Sequence, residues 1–453
     1  MSELVAIVLA AGKGTRMKSE LAKVLHPIMG RPMLAYSLET LNKLGVDKII
    51  AVVGYQAEAV KAAFSSSPVT FVTQEPQLGT GHAVQVACQA LGGYQGSVLV
   101  VCGDVPLLPS AYLEALYHQH CQTGVVATVL TVELAEPGSY GRIVKDGQGN
   151  ILKIVEARDA KPEELSIREI NTGIYCFHVP FLVTALGNLR PDNDQQELYL
   201  TDVIAQAQAR NLQVASLRAP EAMSFQGINN RVDLAVVSRQ VRQQINERHM
   251  LAGVTLIDPE TTYIEADVQI GPDTVIYPNC YLLGSTTIGP GCCLEPNVKI
   301  ADSTLGARVI IKMSTVITGS VIADEVQIGP FAHLRPQSEI RERAKIGNFV
   351  EVKKSLIHTG VKAGHLTYLG DAEVGPEVNV GAGTITCNYD GQKKYRTVIE
   401  AGAFIGSNTA LVAPVTVGAG AYVGAGSTIT EDVPPDKLAI ARGRQVIKEI
   451  KPR

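Results

Sequence analysis

Apolar and polar positions alternate on two different periods along this chain. Up to about residue 227, short apolar runs alternate with amphipathic stretches. The runs Val5–Leu9, Ile49–Val53, Val98–Val101, Val125–Val132, Ile151–Val155 and Gly173–Phe177 read as strands. Met33–Leu44, His82–Ala90, Ala111–His120 and Tyr199–Ala209 carry apolar residues at helical spacing and read as helices. This order predicts an α/β domain: a Rossmann-like, mostly parallel sheet with helices on both faces. Ligands of such sheets bind beyond the carboxyl ends of strands, so residues there carry the chemistry.

The stretch RVDLAVVSRQVRQQINERHM then puts Leu234, Val237, Val241 and Ile245 on one stripe. It predicts a connecting helix over 230–250, about 28 Å long at 1.5 Å per residue. Beyond it the aliphatic period becomes six. Ile264, Ile270, Ile276, Leu282, Ile288, Leu294 and Ile300 keep the step. One-residue slips precede Leu305, Ile311, Ile317 and then Ile322, Ile328, Leu334, Ile340, Ile346, Val352. The step returns in Ile399, Ile405, Leu411, Val417, Val423 and Ile429. Small or β-branched residues stand two places before the aliphatic one, and glycine often follows it. This repeat predicts a parallel β-helix whose stacked triangular coils bury each other's aliphatic rows. The period itself does not fix handedness. Cys387–Thr397 breaks the register and reads as a loop leaving the coil. The expected organisation is therefore 1–229, a linker helix over 230–250, and a β-helix over 251–453.

The length of 453 residues suits more than one core. Forty-two glycines, no tryptophan and 5% aromatics fit tightly turning β structure. A net charge of −4 argues against binding nucleic acid by phosphate neutralisation. The sequence contains no apolar run of the ~18 residues that cross a bilayer, so no membrane association is expected. MSELVAIVLAAG lacks the features of a secretory leader. None of the eight cysteines forms a CxxC pair, and reduced thiols in the cytoplasm are expected.

The first candidate chemistry follows Val5–Leu9, in VLAAGKGTRMK. A P-loop would need glycine where Ile7 stands, and a dinucleotide fingerprint would need it at Met17. Gly12 and Gly14 nevertheless let backbone N–H groups approach a triphosphate, while Arg16 and Lys23 neutralise its charge. LAAGKGTRM with the following lysine resembles the signature of sugar-1-phosphate nucleotidyltransferases. That resemblance implies that Leu9, Ala10, Ala11, Gly12, Arg16 and Lys23 hold the nucleotide. Gln74 with Gly79 and Thr80 would read the base. Gly103 and Asp104, in Gly-Asp-x-Pro, and Asn229 would bind Mg²⁺ and substrate. Tyr140-Gly141-Arg142-Ile143, Glu156 and Asn171-Thr172-Gly173 would hold the sugar. Cys102 departs from the aromatic residue found in some relatives. The implied reaction is in-line attack of a sugar-1-phosphate oxygen on the α-phosphorus of a nucleoside triphosphate, with pyrophosphate leaving.

In the β-helix, Arg335, Lys353, His365, Tyr368, Asn379, Asn388 and Tyr389 interrupt the plain repeat. GNFVEVKK (Gly347–Lys354), AGHLTYLGDAEVG (Ala363–Gly375) and NVGAGTITCNYDG (Asn379–Gly391) resemble the bacterial family of bifunctional N-acetylglucosamine-1-phosphate uridyltransferases/glucosamine-1-phosphate acetyltransferases. The resemblance runs nearly the full length. It implies a left-handed helix, usually in a homotrimer, with His365 as the general base toward the glucosamine amine. An imidazole suits that step because only the neutral amine attacks a thioester. Arg335 and Lys353 would bind the sugar phosphate, and Tyr368 and Asn379 would orient the sugar. Asn388 and Tyr389 would orient the reacting amine beside acetyl-CoA, whose groove Ala382, Ser407, Ala425 and Arg442 would line. UTP, acetyl-CoA and glucosamine-1-phosphate are the implied substrates, and UDP-N-acetylglucosamine, a precursor of peptidoglycan and lipopolysaccharide, is the product. The competing reading is a single-site nucleotidyltransferase whose β-helix only oligomerises. His365 and the CNYDG loop separate the two, since a scaffold has no use for them.

Overall fold

A computed structural model describes residues 4–221 and 223–449 of the chain. It folds as two compact units, Met1–Val241 and Arg242–Arg453. The division falls inside the helix Arg231–Leu251, on which Val237, Val241 and Ile245 are buried and Leu234 is half-buried.

The first unit is built on one sheet. Its main path runs Val214–Ala219, Ala127–Glu133, Glu169–His178, Ser97–Cys102, Val5–Ala10, Lys48–Val53, Val69–Thr73. The expected strands and helices are present. Val69–Thr73, Arg142–Lys145 and Val214–Ala219 are further strands, and Ala57–Ala63 and Val179–Leu186 are further helices. Ladders along the path are parallel except those of Glu169–His178, which runs antiparallel to both neighbours. The sheet is thus mixed, because this strand also pairs antiparallel with Arg142–Lys145, which forms a hairpin with Ile151–Val155 on its other side. Antiparallel neighbours need no crossover helix, which is why helix–strand alternation lapses there. Helices cover both faces. Leu34, Leu38, Leu41, Leu113 and Leu116 pack one core, while Val84, Ala87, Leu182, Val203 and Ile204 pack the other.

The second unit is a parallel β-helix with three faces of 11, 10 and 9 strands. Strands of two to four residues pair in register, so Ile276 stacks on Leu294, Leu294 on Ile311, and Leu282 on Ile300. The six-step aliphatics point inward and are buried, except half-buried Ile270. The register also continues where the aliphatic pattern fades, through Ile357, Ala363, Leu369, Val374, Val380 and Thr386. Ala363 and Thr386 hide it because neither is a large aliphatic. A Cβ on Gly289 would lie 2.5 Å from the Gly306 carbonyl oxygen in the next coil, which explains the glycine after the aliphatic residue.

Every irregularity after Ile276 falls on one corner, between the second and third faces. The five-residue steps Ile300–Leu305, Ile317–Ile322, Val352–Ile357 and Leu369–Val374 all turn there. So does the expected loop, between the strands Ile385–Cys387 and Thr397–Ile399. It closes on itself through Tyr395 N–H to the Asn388 carbonyl, 2.8 Å.

Candidate active sites

The first site opens where the strand Val5–Ala10 ends. Gly14 begins a short 3₁₀ turn over Thr15–Met17 at φ +62°. A Cβ there would lie 2.7 Å from Lys23 Cβ. Gly14 therefore serves first to let Lys23 pack against the loop. Gly12 is exposed, and a Cβ on it would meet nothing within 4 Å, so the chain is open to a ligand at that point.

Arg16, Lys23, Asp104 and Asn229 converge from distant segments. Lys23 Nζ lies 2.5 Å from Asp104 Oδ2 and 3.3 Å from Asn229 Oδ1. Arg16 donates to the same Asn229 oxygen at 2.9 Å. Asn229 is fixed from two sides. Ile228 N–H donates to the Asp104 carbonyl at 3.0 Å, and Asn229 N–H donates to Asp233 Oδ2 at 2.9 Å. Asn230 Oδ1 accepts from the N–H groups of Val232 and Asp233, which caps the helix Arg231–Leu251 reciprocally. On the other side, Gly103 N–H donates to the Leu9 carbonyl at 2.9 Å and holds Asp104 beside the first strand.

A cavity of about 250 Å³ adjoins this cluster, lined by Leu9, Thr80, Gly141, Glu156, Asn171 and Asp104 among others. A bulge in Glu169–His178, between Asn171 and Tyr175, turns Asn171-Thr172-Gly173 toward it. Asn171 Nδ2 donates to the Tyr175 hydroxyl at 2.7 Å. Burial raises the Glu156 carboxyl above its ordinary pKa, helped by the charges of Asp159, Asp202 and Glu197 and opposed by a hydrogen bond from Thr201. Burial also pushes the Cys102 thiol up to about 12, with Asp104 adding to the shift. Cys102 is thus a neutral wall of the cavity rather than a nucleophile. Arg142 does not line it; its guanidinium donates to the carbonyls of Tyr140 and Gly138 and holds that turn in place.

The remaining residues expected at this site lie beside it. Ala10 and Ala11 are buried in the strand end. Gln74 lines a separate cleft with Gly54, Gln56, Thr73 and Gln77, and Gly79 packs on the chain at 197–198.

Asp104 and Asn229 offer one carboxylate and one amide oxygen to a cation. Mg²⁺ takes few protein oxygens and completes its shell with phosphate and water, so the pair fits. Gly227 leaves the space open, since a Cβ there would stand 3.8 Å from Asp104 Oδ2. Among the described residues no cluster of three His, Cys, Asp or Glu could hold a metal.

On the β-helix, register builds the second site. Asn348 pairs with His365 in the next coil. Ala382, Ser407 and Ala425 hold the equivalent place, two residues after the buried Val380, Ile405 and Val423. Asn348, His365, Ala382, Ser407 and Ala425 thus form one column along the corner between the first and second faces. Arg442 closes its lower end by donating to the Ala425 carbonyl at 2.6 Å. His365 is exposed, and its Nδ1 lies 2.7 Å from Asn348 Oδ1. Asn348 was not among the expected site residues. Its signal was its place one coil above the histidine.

Arg335 and Lys353 stand on the far edge of the second face, each one residue after a buried position. Lys394, from the loop, lies beside Lys353 and, ahead of smaller contributions, holds its ammonium below the ordinary pKa. Asp371 stands in the same group, where Asn388 Nδ2 donates to its Oδ2 at 2.6 Å. Tyr368 lies between the two edges on the same face, paired with Glu351. Four residues at 3.3 Å separate those edges by about 13 Å. Asn379 is on the first face, apart from this group, and Tyr389 is exposed on the loop.

Comparisons with known proteins give the same division. Residues 6–157 match the MobA-like NTP transferase domain family. Residues 267–302 and 396–431 match the bacterial transferase hexapeptide family. The chain is similar to the bifunctional protein GlmU of Carboxydothermus hydrogenoformans, 53% identical over 98% of each chain. It is 51% identical to that of Geotalea uraniireducens, over 99% of this chain and 98% of the relative. It is also 51% identical to that of Trichlorobacter lovleyi, over 98% and 96%.

Proposed function

The chain belongs to the bifunctional GlmU family and is a two-site transferase that makes UDP-N-acetylglucosamine, and from that premise we propose which residues carry each transfer. Its C-terminal part is the left-handed β-helix of the hexapeptide transferases. We assign residues 1–229 to uridylyl transfer, 230–250 to a linker helix and 251–453 to acetyl transfer.

In the first site, N-acetylglucosamine-1-phosphate occupies the cavity of Gly141, Glu156 and Asn171. Its phosphate oxygen attacks the α-phosphorus of UTP, and pyrophosphate departs. Leu9–Gly12 and Arg16 grip the triphosphate, Gln74, Gly79 and Thr80 take the base, and Lys23 neutralises charge at the reacting phosphate. The attacking oxygen is already anionic, so positioning and electrostatics suffice. Nucleotidyl transfer of this kind uses a divalent metal, and we assign Mg²⁺ to Asp104 and Asn229, where it would supply charge stabilisation at the phosphates. Lys23 and Arg16 then bear on substrate oxygens instead of on those two side chains.

In the second site, His365 accepts a proton from the glucosamine 2-ammonium so that the free amine can attack the thioester carbonyl of acetyl-CoA; the C–S bond breaks and CoA leaves as its thiol with the second amine proton. Asn348, bonded to Nδ1, fixes the ring and leaves Nε2 for the proton. Arg335 and Lys353 hold the 1-phosphate across the second face, and Tyr368 orients the sugar; Asn379, on the first face, joins them from a neighbouring copy. A sugar phosphate between long side chains suits the ~13 Å between the two edges. Ala382, Ser407 and Ala425, three coil steps below His365 or about 14 Å, give an extended pantetheine arm a smooth floor ending at Arg442. Asn388 and Tyr389 act at the acetyl end. They project from a different corner than His365, which motivates a homotrimer with the site shared between copies. Eight unbonded cysteines support a reducing, cytoplasmic setting.

The observation that carries this reading is the column from Asn348 to Ala425, which a purely structural β-helix does not require. The test is a coupled assay with glucosamine-1-phosphate, acetyl-CoA and UTP, omitting one at a time. UDP-N-acetylglucosamine should form only with all three, and supplying N-acetylglucosamine-1-phosphate should remove the need for the first two.

A further inference from the structure

Gln74 is 5% exposed, and the partners of its amide are asymmetric. The nitrogen faces the Gly79 carbonyl at 2.9 Å and His82 Nδ1 at 3.2 Å. Gly79 O is an acceptor only, so the amide must present N–H to it. Its direction is set by the backbone: Gly79 has φ +104°, and a Cβ would lie 2.8 Å from Glu197 Cβ and from the Leu198 carbonyl oxygen. The same carbonyl receives the Ala83 N–H at 3.1 Å at the start of the helix Thr80–Gln89. The second amide proton goes to His82 Nδ1, which accepts it only as the neutral Nε2–H tautomer. Both protons are thereby used inside the protein, and Oε1 is the atom left to face the cleft that Gln74 lines with Gly54, Thr73 and Gln77.

We propose that His82 is a positioning residue for nucleobase choice: by taking the second Gln74 proton it locks Oε1 outward, so that the site accepts a pyrimidine with N3–H and rejects cytosine. Uracil and thymine carry a donor at N3, whereas cytosine presents an acceptor there that would face Oε1 lone pair to lone pair. The Gly79 carbonyl sets the direction of the amide, and His82 in its Nε2–H tautomer adds a second bond that holds it there. This inference rests on the assignment of Gln74 to base reading.

The test compares kcat/KM for UTP, CTP and dTTP in the full-length enzyme and in its Gln74→Ala, His82→Ala and His82→Asn variants. Thermal unfolding is measured alongside as a check of folding. His82→Ala should lower the UTP:CTP ratio about tenfold, the worth of one hydrogen bond at a polar contact, and leave UTP:dTTP within about twofold. His82→Asn restores an acceptor at the same position on the side chain and should bring back most of the UTP:CTP ratio. An equal fall for all three triphosphates in His82→Ala would reduce His82 to packing and overturn the proposal. So would an unchanged UTP:CTP ratio in His82→Ala when Gln74→Ala collapses it. If Gln74→Ala itself leaves the ratio unchanged, the base-reading assignment fails and the inference goes with it.

Discussion

The two halves of this chain assemble their chemistry by opposite means. In the α/β half, Arg16, Lys23, Asp104 and Asn229 come from three separate segments and meet only because loops at strand ends fold toward one another. In the β-helix, Asn348, His365, Ala382, Ser407 and Ala425 meet because each coil repeats the last. A convergent site is fragile to changes in any loop that aims a side chain. A register-built site is robust to such changes but is open to solvent, and its reach is set by coil spacing. The difference shows in burial: Glu156 sits in a cavity that shifts its pKa, while His365 is exposed on a corner.

Reciprocal loss is the strongest test of that contrast. His365→Ala should cut acetyl transfer by about 10³-fold, the usual worth of a general base, and Asp104→Ala should cut metal-dependent uridylyl transfer by about as much. Each should spare the other activity when the two are assayed separately, and loss of both from either change would break the division. Asn348→Ala should lower kcat of acetyl transfer by about tenfold with little change in KM, since it orients the base rather than binding substrate. Gly14→Ala should lower uridylyl transfer by about tenfold, because its Cβ would displace Lys23 and its φ is positive; thermal unfolding reports on folding.

Smaller effects sharpen the burial side of the comparison. The fold favours the neutral form of Glu156, so its contribution to stability is present below the ordinary carboxylate pKa and is lost as pH rises through its raised value. Glu156→Gln should therefore raise the Tm of the free enzyme by about 2 °C near pH 7.5 and leave it unchanged near pH 4, as scanning calorimetry would show. Cys102→Ala should be nearly silent in uridylyl transfer at neutral pH, because a thiol with a pKa of about 12 is an uncharged wall. A large fall would mean that the thiol acts on the substrate.

Legibility in the sequence followed the same divide. The β-helix was readable by counting, since Ile276, Leu294 and Ile311 repeat at the spacing that stacks them. The count faded where Ala363 and Thr386 took inward places, because the inward row requires small volume and burial rather than an aliphatic residue as such. Asn348 was missed although a coil length separates it from His365. Reading down a column requires knowing which residues turn the corner, and the aliphatic period does not mark them. In the α/β half, the strands and the motifs at their ends were legible, but the hairpin of Arg142–Lys145 with Ile151–Val155 was not. Arg142–Lys145 is short, and its hairpin turn hangs on Asp146 Oδ1 accepting from Gln148 and Asn150 N–H. The true work of Gly14 was also hidden, since its neighbour Lys23 is close in space only after the loop folds.

The corner between the second and third faces has a practical meaning for the architecture. It absorbs both the shortened steps and the excursion at Asn388–Arg396, while after Ile276 the other two corners keep their six-residue step. The molecule is thus a ratchet with one slack tooth. Foreign sequence spliced there, for example between Ala301 and Thr304, would lengthen a surface loop without advancing the inward ladder. The same segment spliced after Ile276 at the corner between the first and second faces would sit in the column that carries His365. An engineer who wishes to decorate this scaffold, or evolution exploring new partners for it, has one seam at which to do so.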